Sequence, residues 1–364
     1  MVEYTMNIYS ASGTPLGIIT DFSEIQIAGI VNGYDVLNCT VKYSSPYTSY
    51  LVQGNVVEVY RQNTDIGITS HLVFSGFIQG TSFTSSQQKQ WSIVAFGYEH
   101  ILSYRVIAWD EAIENVTQWN NVYASTIIDN ILDKNFRLGS QTVGVGGRAV
   151  DGYILGFPTV NQLGIGNQLS ISGVSYNNCL TAIQNVATQG NIDFSLTRTY
   201  YGGMNFLVGS PILGTDRTDS VVFSIEADSI SSLTVSYDYT QYANTAIVRG
   251  YGSENSVVRV VRPATPLTGL SMRETFVDDS PSGNNTVLLS ATGDLALSEI
   301  ALNTRTVDVQ VIQQPQVLYG KHYFLGDLVS VDIGDDIIPM LIHSVRLSFN
   351  SSGVESVNVE LNDE

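Results

Sequence analysis

From Val2 to Ala108 apolar and polar residues trade places almost at every step. "YTMNIYS" and "PLGIIT" flank "ASGT", which predicts a hairpin, and "YDVLNCTVKY" predicts a third strand. "NVVEVYR", "HLVFSGFIQGTSF" and "QWSIVAFG" follow, with Gly or Asn between them. Alternation with period two assigns one set of side chains to each face of a sheet, so five to seven short antiparallel strands are expected, enough for a sandwich or barrel. After Trp109 the period lengthens. "YASTIIDNILDKNF" places Ile127, Ile128, Ile131 and Leu132 on one helical stripe, and "NNCLTAIQNVATQG" does the same with Leu180, Ile183, Val186 and Ala187. Asn178 can cap the second helix and Gly190 can end it. The glycine-rich text between the helices has no period and reads as an exposed loop or ribbon. "NIDFSLTRTYYGGMNFLVG" then reads as strand, turn and strand.

Alternation resumes at "SVVFSI", "SSLTVSYDY" and "NTAIVRGYG", where Leu233, Val235 and Tyr237 interleave with Thr234, Ser236 and Asp238. A helix is expected at "DLALSEIALNT", with Leu297, Ile300 and Ala301 on one face, before "RTVDVQVIQQP" and the closing segment return to strands. The chain is therefore expected to be α+β, mainly β. Its expected parts are a β-domain over 1–108, an α+β domain over 109–215, a second β-domain from 216–251 and 305–364, and an insertion over 252–304.

The closing segment repeats an early one. With Gly54 set against Gly326, "GNVVEVYR" answers "GDLVSVDI": Val57 and Val59 match Val329 and Val331 on one face, Glu58 and Tyr60 match Ser330 and Asp332 on the other. A polar turn follows in each copy. "HLVFSGFIQGTSFTSS" then answers "MLIHSVRLSFNSS", with "SFTSS" against "SFNSS", and "WSIVAF" answers "SVNVEL". Isolated β-meanders resemble one another, but here the whole series coincides in order, which predicts two copies of one small β-domain.

Composition sharpens this picture. At 364 residues the chain has room for two or three cores. Apolar residues make up 43%, and the polar remainder is dominated by Ser, Thr, Asn, Gln and Gly, a mix suited to strands and turns. Asp and Glu outnumber Lys and Arg by 34 to 16, and the sparse basic residues form no cluster, which disfavours stable nucleic-acid binding. "MVEYTMNIYS" lacks the basic and apolar regions of a signal peptide, and no apolar run reaches membrane-spanning length, so cytoplasmic folding without membrane insertion is expected. Cys39 and Cys179 have neither metal nor redox spacing and read as reduced, buried residues.

Little chemistry is legible. His71, His100, His322 and His343 form no pair at metal-ligand spacing, and no serine stands in a nucleophile elbow. Asp335 with Asp336 and Asp278 with Asp279 could bind a hard cation or act as acid and base, but both pairs lie in turns, where Asp bonds its own backbone. The clusters "VGVGG" and "GIGNQ" lack a phosphate-loop lysine and read as flexible loops. No catalytic, cofactor or metal residue is assigned, and no enzyme activity is expected.

"GNVVEVYR…LVFSGFIQG" with "ILSYRVI", "SSLTVSYDYTQYANTAIVRGYGS" and "FLGDLVSVDIG" together resemble the baseplate hub and tail-tip proteins of tailed phages, including the Gp37-like tail proteins. The resemblance runs through essentially the whole chain. It implies a virion protein at the tail tip, a homotrimer whose two tube-like antiparallel β-barrels per subunit make a pseudo-sixfold ring. Its implied partners are the tail tube or distal tail protein on one side and a spike, fibre or tape-measure protein on the other, with phage DNA only in transit. The sequence stops just after the second barrel, so appended peptidase, lysozyme or fibre domains are expected on partner chains. The acid excess then has two readings: a lumen that repels DNA, or plain solubility. A tail-borne envelope hydrolase and a receptor-binding or adhesin module are the rival functions; the first needs a carboxylate pair or zinc triad in a cleft, the second solvent-facing aromatics.

Overall fold

Glycines at two distant positions begin the same structure twice, and the fold is built around that repetition. The computed structural model describes residues 2–85, 89–107, 119–137, 157–171, 177–198, 204–252, 256–279, 283–302, 305–334 and 336–362. Its first strands are β1 (Val2–Tyr9), β2 (Pro15–Ile19), β3 (Phe22–Ile30), β4 (Val36–Lys42), β5 (Val56–Asn63), β6 (Ile68–Ser85) and β7 (Lys89–Gly97). The middle holds β8 (Trp119–Tyr123), α1 (Ala124–Phe136), β9 (Gln168–Ile171), α2 (Cys179–Gly190), β10 (Asp193–Arg198) and β11 (Met204–Gly209). Then come β12 (Val222–Phe223), β13 (Ile230–Tyr237), β14 (Thr245–Arg249), β15 (Arg259–Arg262), β16 (Glu274–Asp278), α3 (Thr286–Leu302), β17 (Arg305–Val311), β18 (Leu328–Asp332), β19 (Ile337–Asn350) and β20 (Glu355–Asn362). The protein is mainly β with helices set in two places.

One sheet runs through both halves. Its strand order is β12-β18-β19-β3-β4-β7-β6-β5-β1-β2, with β20 on the other side of β19. This is an open path through the described strands, whereas the resemblance implies two closed tubes. Its core is also shared: Met6, Ile8, Leu37, Val57 and Phe74 belong to the same buried cluster as Phe223, Val329, Met340 and Ile342. The junction is β3, which pairs antiparallel with β19 from Glu24↔Asn350 to Ile30↔Ser344. Strand β3 is absent from the sequence reading above, although Ile25 and Ile27 alternate with Glu24 and Gln26 in the ordinary half-buried pattern.

The repeat holds at the level of hydrogen bonds. Gly54 (φ 86°) donates its N–H to Ile78 O and Asn55 O accepts from Ile78, both at 2.9 Å. Gly326 (φ 83°) donates to Ile342 O and Asp327 O accepts from Ile342, again both at 2.9 Å. These left-handed conformations are ones only glycine adopts freely. Each isoleucine is followed by a bulge, at Gln79 in β6 and at His343 in β19. Opposite Ile78 stands Ala95, and opposite Ile342 stands Leu361.

That ladder corrects the alignment read from the letters. Ile93 corresponds to Val359, not Asn358, because Ile93, Ala95, Val359 and Leu361 are all buried and a slip of one residue would drive Asn358 and Glu360 into the core. Phe83 corresponds to Leu347, not Phe349, so the "SF" echo is displaced by two residues. Two residues is one pleat, which keeps the face unchanged and the echo visible.

A second correspondence emerges from the pairing. In β3–β4, Phe22 faces Val41 and, after a bulge, Glu24 faces Thr40. In β13–β17, Ile230 faces Val311 and, after a bulge, Ser232 faces Gln310. Strand β17 lies beside β20 as β4 lies beside β7, although only the latter two share a ladder.

The helical parts follow their apolar stripes. Ile127, Ile128, Ile131 and Leu132 of α1 and Ile183, Val186 and Ala187 of α2 are buried in one cluster with Phe194 and Phe206 of the β10–β11 hairpin. Asn178 caps α2, accepting from Leu180 N (3.0 Å) and Thr181 N (3.4 Å). At the other end Asn191 (φ 49°) takes the left-handed turn expected of Gly190, which instead packs closely enough on Ala124 that a Cβ would lie 2.2 Å from it. Helix α3 begins eight residues before the expected segment, capped by Asn285, and buries Leu289 fully against Ala246 and Val248. Leu297 packs beside them, but Ala301 is exposed. Strand β14, read above with the second β-domain, pairs with β15 and β16 beneath α3.

Candidate functional site: the seam between the two halves

Three polar arrangements hold the halves and the helical lobe together. The first is buried. Arg61 of β5, only 1% exposed, reaches Glu355 at the start of β20 with Nε at 2.7 Å and Nη2 at 2.6 Å, and its Nη1 donates to Tyr319 O at 3.1 Å. Tyr4 of β1 donates its hydroxyl to the same carboxylate. Burial and the negative charge of Glu355 push the Tyr4 phenol far above its ordinary range, so it stays a donor.

The second lies at the turn into β18. Asp327, 2% exposed, accepts from Thr215 N (2.8 Å), Phe324 N (2.9 Å) and Arg217 Nε (2.5 Å). A Cβ on Gly214 would sit 2.1 Å from Gly326 O, so the chain entering β12 must pass this turn bare.

The third docks the helical lobe. Asn32 donates to the Asp193 carboxylate (2.9 Å) and accepts from Phe194 N (2.8 Å), and Glu99 accepts from Leu196 N (2.9 Å) and the Ser195 hydroxyl (3.0 Å). Arg198 bridges to Glu58 at 3.0 Å and lies 4.3 Å over the Tyr9 ring. Beside Glu99, Asp35 has its carboxyl pushed up to about 8, by burial first and by the negative charge of Glu99 second, against a bond from Ile30 N. Burial raises Glu99 as well, against its hydrogen bonds.

Asp35 thus links stability to pH. A carboxyl whose folded value lies above its ordinary 3.8 contributes stability that is full below that value and lost as pH rises through about 8. Asp35→Asn removes the proton but keeps an acceptor for Ile30 N. Between pH 5 and 8 the melting temperature of this variant relative to the parent is expected to rise with pH, whatever the histidines contribute to both; a difference that stays constant would exclude Asp35 as a pH-linked group.

The residues picked out in the sequence are not gathered into one place. His71 bonds Thr69 O (3.1 Å), His100 sits among the rings of Tyr34, Phe96 and Tyr104, His322 accepts from Leu318 N (3.0 Å), and His343 occupies the β19 bulge. Burial lowers the pKa of all four. Asp278 pairs with Arg249 (3.3 Å) while Asp279 accepts from Thr292 (2.7 Å), so this carboxylate pair is divided between two elements. Asp336 accepts from Ile337 N (2.9 Å) in its own turn; Asp335 and the "VGVGG" cluster lie outside the described residues. Cys39 and Cys179 are buried and unbridged. Among the described residues no three His, Cys, Asp or Glu side chains come together as a metal site, and no helix is long and apolar enough to cross a membrane. The cleft of about 420 Å³ beside Gly54 is lined by Phe77, Ile78, Gln79, Ile101, Tyr104 and Arg105, without a carboxylate pair.

Sequence reasoning missed Arg61, Glu355, Asp327, Asp35 and Glu99. The available signal was sparse charge: only 14% of residues are charged, so an Arg in the alternating strand "VVEVYRQN" at an inward position calls for a buried partner.

The comparisons with known proteins agree with this architecture. The family model described as "Siphovirus ReqiPepy6 Gp37-like protein" matches residues 5–361. Among solved structures, the 43 kDa tail protein of prophage MuSo2 from Shewanella oneidensis superposes with a TM-score of 0.61 at 14% identity, over 99% of this chain and 98% of that one. A tail protein from Neisseria meningitidis gives 0.61 at 12% identity, over 99% and 97%. Prophage tail protein gp18 from Listeria monocytogenes gives 0.55 at 13% identity, over 99% and 94%. No curated protein matches by sequence.

Proposed function

The chain belongs to the Gp37-like family of siphovirus tail proteins, and from that premise we propose that it is the trimeric hub of the tail. In this reading it adapts a sixfold tail tube or distal tail protein to threefold spike or fibre components around a lumen for DNA. The observation that carries it is the duplicated unit, with Gly54, Ile78 and the Gln79 bulge reproduced at Gly326, Ile342 and the His343 bulge. Two like units per chain let three chains present six like faces, which is what joining sixfold to threefold structure requires. The division into a first β-domain over 1–108, a helical domain over 109–215, a second β-domain from 216–251 and 305–364 and an insertion over 252–304 belongs to the same proposal. So do the two tube-like barrels, each closed by neighbours in the ring. The net charge of −18 suits a lumen that DNA must traverse without sticking.

Native mass measurement of the purified protein tests the hub. A trimer is expected; a stable monomer would overturn it, and a hexamer would point to a tube or distal-tail role instead.

A further inference from the structure

The seam inside one chain points to where the next chain binds. In the second copy, β18 covers one side of β19 only as far as Leu341, and β3 takes over that side from Ser344 to Asn350. In the first copy, β5 covers the same side of β6 only as far as Phe77. Beyond it, Gly80–Ser85 pair with β7 alone among the described strands. The side that β3 fills in one copy thus has no partner strand among the described residues in the other.

The burial of matched residues makes the vacancy plain. Leu347 is 2% exposed and Val345 3% exposed beneath β3, whereas Phe83, which corresponds to Leu347, is 44% exposed, and Thr81, which corresponds to Val345, is exposed too. Around Phe83, the Tyr43 ring lies 5.4 Å away and the Trp91 ring 5.2 Å away.

The strand that fits this edge is also in the chain. The shared bulge equates Phe22 with Ile230, and therefore Ile25 with Leu233 and Ile27 with Val235. Strand β13 pairs with β17 alone, leaving its second edge without a described partner. Its Leu233 and Val235 are half-buried and Tyr237 is 57% exposed, where Ile25 and Ile27 are 1% and 2% exposed. Neither edge is guarded: "ISSLTVSY" and "GTSFTS" contain no charged residue and no proline, in a chain with net charge −18. Exposed edges are ordinarily blunted by such residues, and an unguarded one is a template for pairing.

We infer that β13 of one chain adds antiparallel to Gly80–Ser85 of β6 in a second copy of this chain, reproducing the β3–β19 seam between subunits. The register follows from the internal seam. Ile27↔Leu347 becomes Val235↔Phe83, Gln26↔Ser348 becomes Thr234↔Thr84, and Ala28↔Arg346 becomes Ser236↔Ser82. The contact is head-to-tail, since β13 and β6 are different surfaces, so repeating it builds a ring if the rotation closes. This inference rests on the trimeric hub reading and adds which strands meet and in what register.

Cysteine pairing tests the register. Directly opposed residues of antiparallel strands have Cβ atoms about 4.5–5.5 Å apart, whereas diagonal neighbours stand about 7–8 Å apart. The double variant Thr84→Cys with Thr234→Cys is therefore expected to form covalent dimers and trimers on mild oxidation. Thr84→Cys with Ser232→Cys, one pleat out of register, is expected to remain at least tenfold less bridged. Phe83→Asp, which places a charge at the centre of the contact, is expected to leave a folded monomer by native mass and circular dichroism. Native mass of the unmodified protein is read first. A trimer that bridges no better through Thr234→Cys than through Ser232→Cys, or that survives Phe83→Asp, overturns this assignment and leaves the hub standing; a monomer overturns both.

Discussion

Truncating Arg61 to alanine is expected to destabilise the folded chain by about 3–5 kcal/mol, the range for breaking a buried ion pair from one side. The loss arises less from the attraction removed than from what stays behind. Glu355 would keep its charge in a site where it is now only 10% exposed, with the Tyr4 hydroxyl as its remaining partner. Tyr319 O would also lose the donor at Nη1. Because β1 and β5 belong to the first copy and β20 to the second, the damage falls on the joint between them. Replacing the pair together, with Arg61→Met and Glu355→Leu, is expected to recover most of the loss, since apolar isosteres of a buried pair are often neutral or better. Urea unfolding of the single and double variants separates the two cases: equal losses in both would show that packing, not charge, sets the cost.

Asp327→Ala is the second large effect, again about 3–5 kcal/mol, as two backbone donors and one guanidinium lose their one buried acceptor together. Thr215 N and Phe324 N cannot turn to water without opening the turn that Gly214 and Gly326 keep closed. Asp327→Asn keeps acceptor capacity on one oxygen and should fall between. The internal control is Asn55, which occupies the same position in the first copy but makes one exposed bond, from its side-chain amide to Tyr50 O at 2.8 Å. Asn55→Ala is expected to cost less than about 1 kcal/mol, the net worth of one such bond. Matched unfolding curves for the two alanine variants check the contrast, and similar shifts would mean that the turn, not the carboxylate, carries the stability.

The contrast between Asp327 and Asn55 also marks the limit of reading the repeat from letters. Both sit after a left-handed glycine, and nothing local tells which one will be enclosed by distant segments. The same holds for Asp35 and Glu99, 64 positions apart, whose carboxyls are both raised by burial, with the charge of Glu99 adding to the effect at Asp35. Strand β3 was legible in its alternation, yet its importance was not, because its partner Ser344–Asn350 lies more than three hundred residues away. The "WSIVAF" alignment failed by one residue for a related reason. Both copies carry the same bulge, and the short alternating runs match in letters at either offset, so only the ladder shows which residues are equivalent.

The alternation of apolar residues determined the strands, the stripes of Ile and Leu determined α1 and α2, and the ordered series around Gly54 and Gly326 determined that a unit occurs twice. Each is a local property, since period and turn chemistry act within a few residues. Tertiary structure alone decided that both units share one sheet through β3 and β19, that Arg61 finds Glu355, and that Gly80–Ser85 and β13 each keep an edge unpaired among the described strands. Those outcomes depend on which edges meet after the chain has closed long loops, and neither period nor composition specifies a partner for an edge.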